Sequence, residues 1–91
     1  MALAALVLGS AVVASHQARL AADLAALAGA GRAQTGASAG QACTEAGRVA
    51  GLNRATLKSC SVEGSDVLLV VSVEAGLTRQ AIARSRAGPP R

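Results

Sequence analysis

The sequence predicts an α+β fold: a long N-terminal helix that is partly transmembrane, a short second helix and a small three-stranded antiparallel sheet. Residues 1–30 are almost all strong helix formers, with alanine and leucine dominant. Residues 67–73 form a valine-rich run of the kind found in strands, and residues 79–88 alternate with a period of two. These three observations place the helices before the sheet in one chain.

Composition limits how stable such a fold can be by itself. The chain has 91 residues and contains no Phe, Tyr or Trp. It can therefore form one small domain, with a core of alanine, valine and leucine side chains that each bury little area. We expect a cross-link, a membrane or a partner to supply part of the stability.

The N-terminal helix, predicted over residues 1–30, changes character along its length. Residues 2–14 carry no charge, whereas the following part combines charged residues with an apolar stripe at helical spacing. That stripe comprises Leu20, Leu24 and Leu27, and we expect it to face the small domain or a neighbouring subunit. Because no proline or turn signal separates the two parts, the helix is predicted to run unbroken from about Leu3 to about Ala28.

The change from apolar to polar sequence also predicts where the helix leaves the membrane. The membrane-exit residues are Ser15, His16, Arg19 and Asp23. Arg19 and Asp23 lie four residues apart, a spacing that suits a solvated ion pair on the helix surface. The alternative is that Asp23 meets a basic residue of a neighbouring subunit.

A signal peptide is the competing interpretation of the N-terminus. The uncharged run has the length of a signal-peptide core, and Val12, Val13 and Ala14 before Ser15 fit a cleavage site. The absence of a positive charge before the run, and the helical pattern beyond Ser15, count against cleavage. At a rise of 1.5 Å, residues 2–14 cover about 20 Å, short of a ~30 Å hydrocarbon core, so they alone are expected to anchor weakly.

Residues 31–40 are rich in glycine and are predicted to link the first helix to a small α+β domain, residues 41–88. Their G-x-G pattern follows a helix rather than a strand and lacks the G-K-[ST] ending of a phosphate-binding loop. We therefore interpret this segment as a flexible connector.

The second helix is predicted from about residue 39 to residue 50. Ser38 and Gln41 match the capping box that starts many helices. Gly51 is a natural stop, because glycine adopts the left-handed conformation that ends a helix.

Three strands follow the second helix. Residues 55–62 and 67–73 flank the turn at residues 63–66 and are predicted to form a hairpin. A second turn at residues 74–77 leads into the third strand, residues 79–88, which the alternation favours over a helix.

The two faces of the middle strand differ in polarity. One face is wholly apolar: Val67, Leu69, Val71 and Val73. The other becomes polar towards its end: Leu68, Val70, Ser72 and Glu74. We therefore expect aspartate at Val67 or Val71 to unfold the domain, and aspartate at Ser72 to be milder.

Two cysteines, Cys43 and Cys60, leave three chemical states open. They can form one disulfide, remain two reduced core thiols or contribute to a metal site. A metal site is disfavoured, since two cysteines and one distant histidine do not complete a zinc ligand set. An exported chain would favour the disulfide.

The titratable residues do not form a catalytic pattern. His16 is the one histidine, and Ser10 and Ser15 on the same predicted helix are not spaced to build a nucleophilic site with it. We therefore expect no enzyme activity, no catalytic residues, no metal, no cofactor and no small-molecule substrate.

The basic residues do not predict a nucleic-acid interface. Nucleic-acid binding would require a dense basic face, often with aromatic side chains for stacking, and the chain has no aromatics. Four arginines are grouped near the C-terminus: Arg79, Arg84, Arg86 and Arg91. Acidic lipid head groups suit them better than nucleic acid, and a solvated strand face is the simplest interpretation.

The order of short motifs along the chain has a counterpart in one family. A hydrophobic helix runs into A-R-L-A-A-D-L-A-A-L-A at residues 18–28, and a glycine-rich link leads to C-x-x-A-x-x-V-A-x-x-N at residues 43–53. C-x-V-x-G at residues 60–64 and A-x-A-R-S-R-A-G-P at residues 81–89 follow. This order resembles the short actinobacterial TadE/TadG-like proteins of a helicase and secretion gene neighbourhood, encoded beside tight-adherence (Flp) pilus genes.

The resemblance implies a membrane-anchored minor pilin or pseudopilin, a component of a tight-adherence pilus assembly or secretion system. It would be a single-pass protein of the cell membrane, with residues 41–88 on the extracytoplasmic side. Its partners would be membrane lipid and other pilin-like or secretion-system subunits, contacted through the N-terminal helix. The cysteine pair of the family implies a Cys43–Cys60 bridge between the second helix and the first strand. The alternative function is a small secreted, disulfide-linked protein released by cleavage after Ala14.

Overall fold

A computed structural model describes residues 2–76 and 79–89 of the chain, with residues 2–12 described by their backbone alone. Two helices, α1 (Ala2–Gln34) and α2 (Ala39–Leu52), precede three strands, β1 (Thr56–Glu63), β2 (Asp66–Glu74) and β3 (Gln80–Ala87). The strands form one antiparallel sheet in the order β1-β2-β3, and both helices pack on the same face of it. The predicted α+β class with three antiparallel strands is confirmed. The predicted turn at residues 74–77 lies partly outside the described residues, and Arg91 lies wholly outside them.

Helix α1 is unbroken, as predicted, and it continues six residues beyond Ala28 to Gln34. It ends at Gly36, whose φ of 91° lies in the left-handed region. The backbone N–H of Ala37 donates to Arg32 O at 3.1 Å, and that of Gly36 donates to Ala33 O at 3.2 Å, which together form a Schellman motif. The glycine-rich connection is therefore shorter than the predicted linker of residues 31–40.

Helix α2 begins at the predicted capping box. The Ser38 hydroxyl accepts from the Gln41 N–H at 3.1 Å, and the Gln41 side chain accepts from the Ser38 N–H at 2.9 Å. The helix passes Gly51 and ends in a second Schellman motif, in which Ala55 N–H donates to Ala50 O at 2.9 Å. The left-handed position of this motif is Arg54, with φ 59°, where glycine is the usual residue.

Replacing Arg54 by glycine is expected to stabilise the protein. A non-glycine residue in the left-handed region costs about 1–3 kcal/mol of backbone strain. Glycine removes that strain, but it also raises the conformational entropy of the unfolded chain, which cancels part of the gain in stability. We expect the free energy of unfolding, measured by urea titration, to rise by about 0.5–1 kcal/mol. Gly36→Ala, at the matching position of the first motif, should lower it by about 1 kcal/mol. A lower stability for Arg54→Gly would contradict this account.

Small side chains bring the two helices and the sheet close together. The buried residues of α1 include seven alanines: Ala14, Ala18, Ala21, Ala22, Ala25, Ala26 and Ala30. Gly29 lies where α1 approaches α2, and a Cβ built there would be 3.1 Å from Ala42 O and 3.4 Å from the Ala46 Cβ. Gly29 is therefore a packing residue inside α1, where the absence of a side chain permits the close approach of α2.

Enlarging Gly29 should separate the helices. We expect Gly29→Leu to lower the free energy of unfolding by about 1–3 kcal/mol, because the new side chain overpacks the contact with α2. Gly31→Leu is the matched control, since a Cβ there meets nothing within 4 Å and leucine favours a helix more than glycine does. Equal thermal melting points for the two variants would show that the helices do not approach at Gly29.

The leucines of α1 do not face the domain. Leu20, Leu24 and Leu27 are 50, 39 and 63 % exposed, whereas the alanines between them are buried. The expectation that this stripe packs on the small domain is wrong. The larger buried side chains of the core are mainly valines of β2. Helix α1 lies so close to the sheet that alanine is the side chain that fits between them.

The sheet is a meander whose first turn depends on glycine. Glu63 pairs with Asp66 across a two-residue loop, and Gly64 at its first position has φ 63°. Glycine at that position is the signature of a type II′ turn, which matches the twist of a hairpin. Between Leu57 and Ser59 the register shifts at Lys58, which makes a bulge near the start of β1.

The faces of β2 agree with the predicted pattern except at one residue. Val67, Leu69, Val71 and Val73 are buried against the helices, and Val67 and Val71 are the largest fully buried side chains of the described core. Ser72, on the other face, is only 4 % exposed. It lies between Thr56 and Ile82 in the register, so neighbouring strands cover it. Ser72 is therefore unsuitable as the mild position for aspartate.

Helix α1 is longer than the sheet on which it packs. Its 33 residues span about 50 Å at 1.5 Å per residue, close to the 53 Å long dimension of the molecule. Strands of eight or nine residues span about 26–30 Å. The N-terminal part of α1 therefore extends beyond the end of the sheet. Across residues 2–76 and 79–89, no helix has the length and apolar content that crossing a membrane requires.

Candidate functional site

The outer face of α1 carries an exposed apolar stripe. Val13 is 64 % exposed and starts the series that Leu20, Leu24 and Leu27 continue. Val13, Leu20 and Leu27 follow one another at intervals of seven residues, and Leu6 continues that interval in the sequence. Residues seven apart stay on one side of a helix, so the stripe has the spacing by which helices pack side by side. We call these four residues, Val13, Leu20, Leu24 and Leu27, the leucine stripe.

The sequence contained a signal for the orientation of this stripe. An alanine follows each leucine, as in A-A-D-L-A-A-L-A at residues 21–28. An alanine face suits a close approach between backbones, and that is the face α1 buries. The periodicity of the leucines alone shows that they share a side, without showing what lies on it.

Arg19 and Asp23 border the leucine stripe on the side of β3. Their side chains approach to 3.5 Å, with 56 and 50 % of each exposed. Each also contacts β3: Arg19 Nη1 donates to Arg84 O at 2.5 Å, and Asp23 Oδ1 accepts from the Ser85 hydroxyl at 2.8 Å. The predicted ion pair is present, and it additionally attaches α1 to the last strand. An exposed pair contributes about 0–1 kcal/mol, so its main effect is to fix position.

The other two predicted membrane-exit residues, Ser15 and His16, are exposed on α1. Sequence reasoning missed the next residue, Gln17. Its Nε2 donates to Asn53 O at 3.2 Å, which joins the start of the packed part of α1 to the end of α2. This contact fixes the level at which α1 leaves the domain.

Several polar residues gather at that level in an open crevice of about 320 Å³. It is lined by Gln17, Arg54, Thr56, Ser72, Val73, Glu74 and Gln80. These residues come from α1, from the connection between α2 and β1, from the start of β1, and from the two strands that flank the β2–β3 loop. We call this end of the molecule the base of the domain, because α1 extends beyond it.

Cys43 and Cys60 form a disulfide, as the resemblance implied. Their Cα atoms are 5.8 Å apart, within the range of about 4.4–6.8 Å usual for bridged pairs. The bridge joins α2 to β1, and no free cysteine exists among the residues described. It therefore connects the helical layer to the edge of the sheet.

The outer face of the sheet is open. Leu68 and Val70 are half-buried on β2, with the exposed Ser59 and Ser61 on one side and Arg84 and Arg86 on the other. Arg86 donates from Nη2 to Asp66 Oδ2 at 2.6 Å. That hydrogen bond, together with the charge of Asp66, raises the pKa of the Arg86 guanidinium above its ordinary value. Arg86 is therefore a permanent cation held at the end of the sheet opposite the base.

The described side chains do not assemble a metal site, since no three of the His, Cys, Asp and Glu residues in 2–76 and 79–89 come together.

The chain matches no protein-family model, no curated protein and no solved structure. The candidate site is consequently a set of surfaces: the leucine stripe, the base of the domain and the part of α1 that extends beyond it.

Proposed function

We propose that the protein is a membrane-anchored minor-pilin-like or pseudopilin-like subunit of a tight-adherence (Flp) pilus assembly or secretion system. In this proposal the N-terminal part of α1 lies in the cell membrane and the disulfide-linked domain is extracytoplasmic. The exposed leucine stripe carries the proposal. A soluble domain that acts alone gains nothing from a row of exposed leucines on a rigid helix, whereas an assembly subunit uses such a row to contact its neighbours.

The proposed mechanism is physical rather than chemical. The uncharged residues 2–14 occupy lipid or a bundle of similar helices, where every backbone polar group must be bonded within the helix. Alanine and glycine permit close approach between such helices. The leucine stripe extends this contact surface past the membrane exit. Because α1 is continuous and held to β3 through Arg19 and Asp23, the domain keeps a fixed orientation relative to the anchor.

Substituting the leucine stripe tests the assembly role. We expect Leu20→Gln with Leu24→Gln to abolish chemical cross-linking of the protein to neighbouring subunits in native membranes. The melting temperature should not fall, because both leucines are exposed in the folded domain. Leu52→Gln is the matched control, since Leu52 is 70 % exposed outside the stripe. Unchanged cross-linking in the double variant, or equal loss in Leu52→Gln, would refute the proposal.

Fractionation of cells distinguishes the anchored subunit from the secreted alternative. Among the α1 residues whose burial is described, from Val13 onwards, Ala14 is the first buried one, so a form that starts at Ser15 would keep all but one of these buried alanines. That observation keeps cleavage after Ala14 as a second candidate. We expect the intact mass of the membrane-bound protein to include the residues before Ser15. A soluble form beginning at Ser15 would instead favour the secreted protein.

A further inference from the structure

Basic residues without ion-pair partners are concentrated at the base of the domain. Arg54 lies between α2 and β1, Lys58 lies at the β1 bulge, and Arg79 precedes β3; all three are exposed. Within the described residues, none of the three has an acidic partner within ion-pair distance. The one acidic residue that lines the crevice at this end is Glu74. The base therefore carries a net charge of +2, from three cations and one anion.

The opposite end of the domain differs. Arg86 is paired there with Asp66, and Arg32, unpaired within the described part of the chain, is matched by Glu63 at the β1–β2 turn, so the two cations and two anions of that end sum to zero. The net positive charge consequently lies at the end from which the uncharged part of α1 extends. The hydrogen bond from Gln17 to Asn53 O places the backbone next to Arg54 one helical turn beyond Ala14, so Arg54 lies beside the root of the apolar segment.

Arg54 occupies its position against local backbone preference. The same Schellman motif at the end of α1 uses Gly36 with φ 91°, whereas α2 uses Arg54 with φ 59°. Its side chain makes none of the hydrogen bonds described within the chain. A residue that strains the backbone, without a side-chain hydrogen bond or ion pair among the described residues, suggests a partner outside the molecule.

We propose that the base of the domain, through Arg54, Lys58 and Arg79, lies on the anionic head groups of the membrane that α1 enters. This inference rests on the proposed membrane anchor and adds the kind of lipid that the domain contacts. Lipid phosphates complement the net positive charge, and the apolar segment beside the cations brings them to the depth of the head groups.

Vesicle partitioning of the full chain tests the inference. The probes are vesicles of phosphatidylcholine alone and vesicles that also contain phosphatidylglycerol. We expect tighter binding to the anionic vesicles, with a difference that decreases as salt is added. Arg54→Gly should weaken binding to the anionic vesicles about five-fold, the effect of one cation near the surface, and Arg54→Lys should restore it. Arg54→Gly does not compromise the fold, because glycine suits the left-handed position.

Arg32→Gln is the matched control. Arg32 is exposed near the C-terminal end of α1, far from the base, and lacks an ion-pair partner among the residues described. Its replacement removes the same charge and should leave anionic binding nearly unchanged. Equal weakening by Arg32→Gln and Arg54→Gly would overturn the inference, since it would indicate attraction by net charge alone.

The lipid dependence also separates this inference from the proposed anchor. Equal binding to both vesicle types would retain the anchor and overturn the head-group contact. Binding to anionic vesicles that high salt fully reverses would support the head-group contact and overturn the anchor. Absence of binding to both vesicle types would overturn both.

Discussion

Val71→Asp is expected to unfold the domain. Val71 is fully buried on the central strand, between the sheet and the helices. An aspartate there has no cation within the alanine and valine core described around it, and an unpaired buried charge costs about 3–5 kcal/mol. A domain of this size has roughly 5–14 kcal/mol of total stability, so the substitution removes a large part of it. Val67→Asp should behave in the same way.

Circular-dichroism melting curves measure the effect, and Ser59→Asp is the control. Ser59 is exposed on the outer face of the same sheet, where its row in the register contains Val70 and Arg84. A charge there remains in water and has an arginine two strands away. Equal melting temperatures for Val71→Asp and Ser59→Asp would mean that the faces of the sheet are assigned the wrong way round.

Removing the disulfide is expected to destabilise the protein by about 3 kcal/mol in the chain-entropy model, given the short loop between the cysteines. The double variant Cys43→Ser with Cys60→Ser removes both cysteines of the bridge, which lie 17 positions apart in the sequence, and leaves no single free thiol from that pair. The effect is large because the described core is built mainly of alanine and valine and gains little from each buried side chain.

Reduction of the wild-type protein supplies the independent measurement. A reducing agent should shift the urea midpoint of the wild type to that of the double variant, and should leave the double variant unchanged. Labelling of two free thiols in the oxidised native protein, or a wild-type midpoint insensitive to reductant, would contradict the bridge.

The elements with their own local signals were predictable from the sequence. The capping box at Ser38 and Gln41, the turn around Gly64 and the valines of β2 each specify a structure through nearby residues. The alternating third strand was predictable for the same reason.

The errors occurred where the outcome depends on packing between distant segments. The helix was predicted to end near Ala28, yet Gly29 allows α1 to approach Ala42 and the helix continues to Gln34. The periodicity places the leucines on one side of α1. Only the close approach of α1 to the sheet determines that the alanines, rather than the leucines, face the sheet. Ser72 appeared on a polar face, and the neighbouring strands buried it. A left-handed Arg54 at the end of α2 could not be predicted, because Gly51, three residues earlier, offered the conventional stop.

The contact between α1 and β3 determines the order in which the protein can fold during synthesis. Arg84 and Ser85 bind residues 65 and 62 positions earlier in the chain. The ribosome therefore releases the helix first and the strand that covers its alanine face last. Contacts of such high sequence separation form slowly, whereas Cys43 and Cys60 are 17 positions apart and both precede β2 and β3 in the chain. The nascent chain consequently leaves the part of α1 that β3 covers exposed until translation is nearly complete.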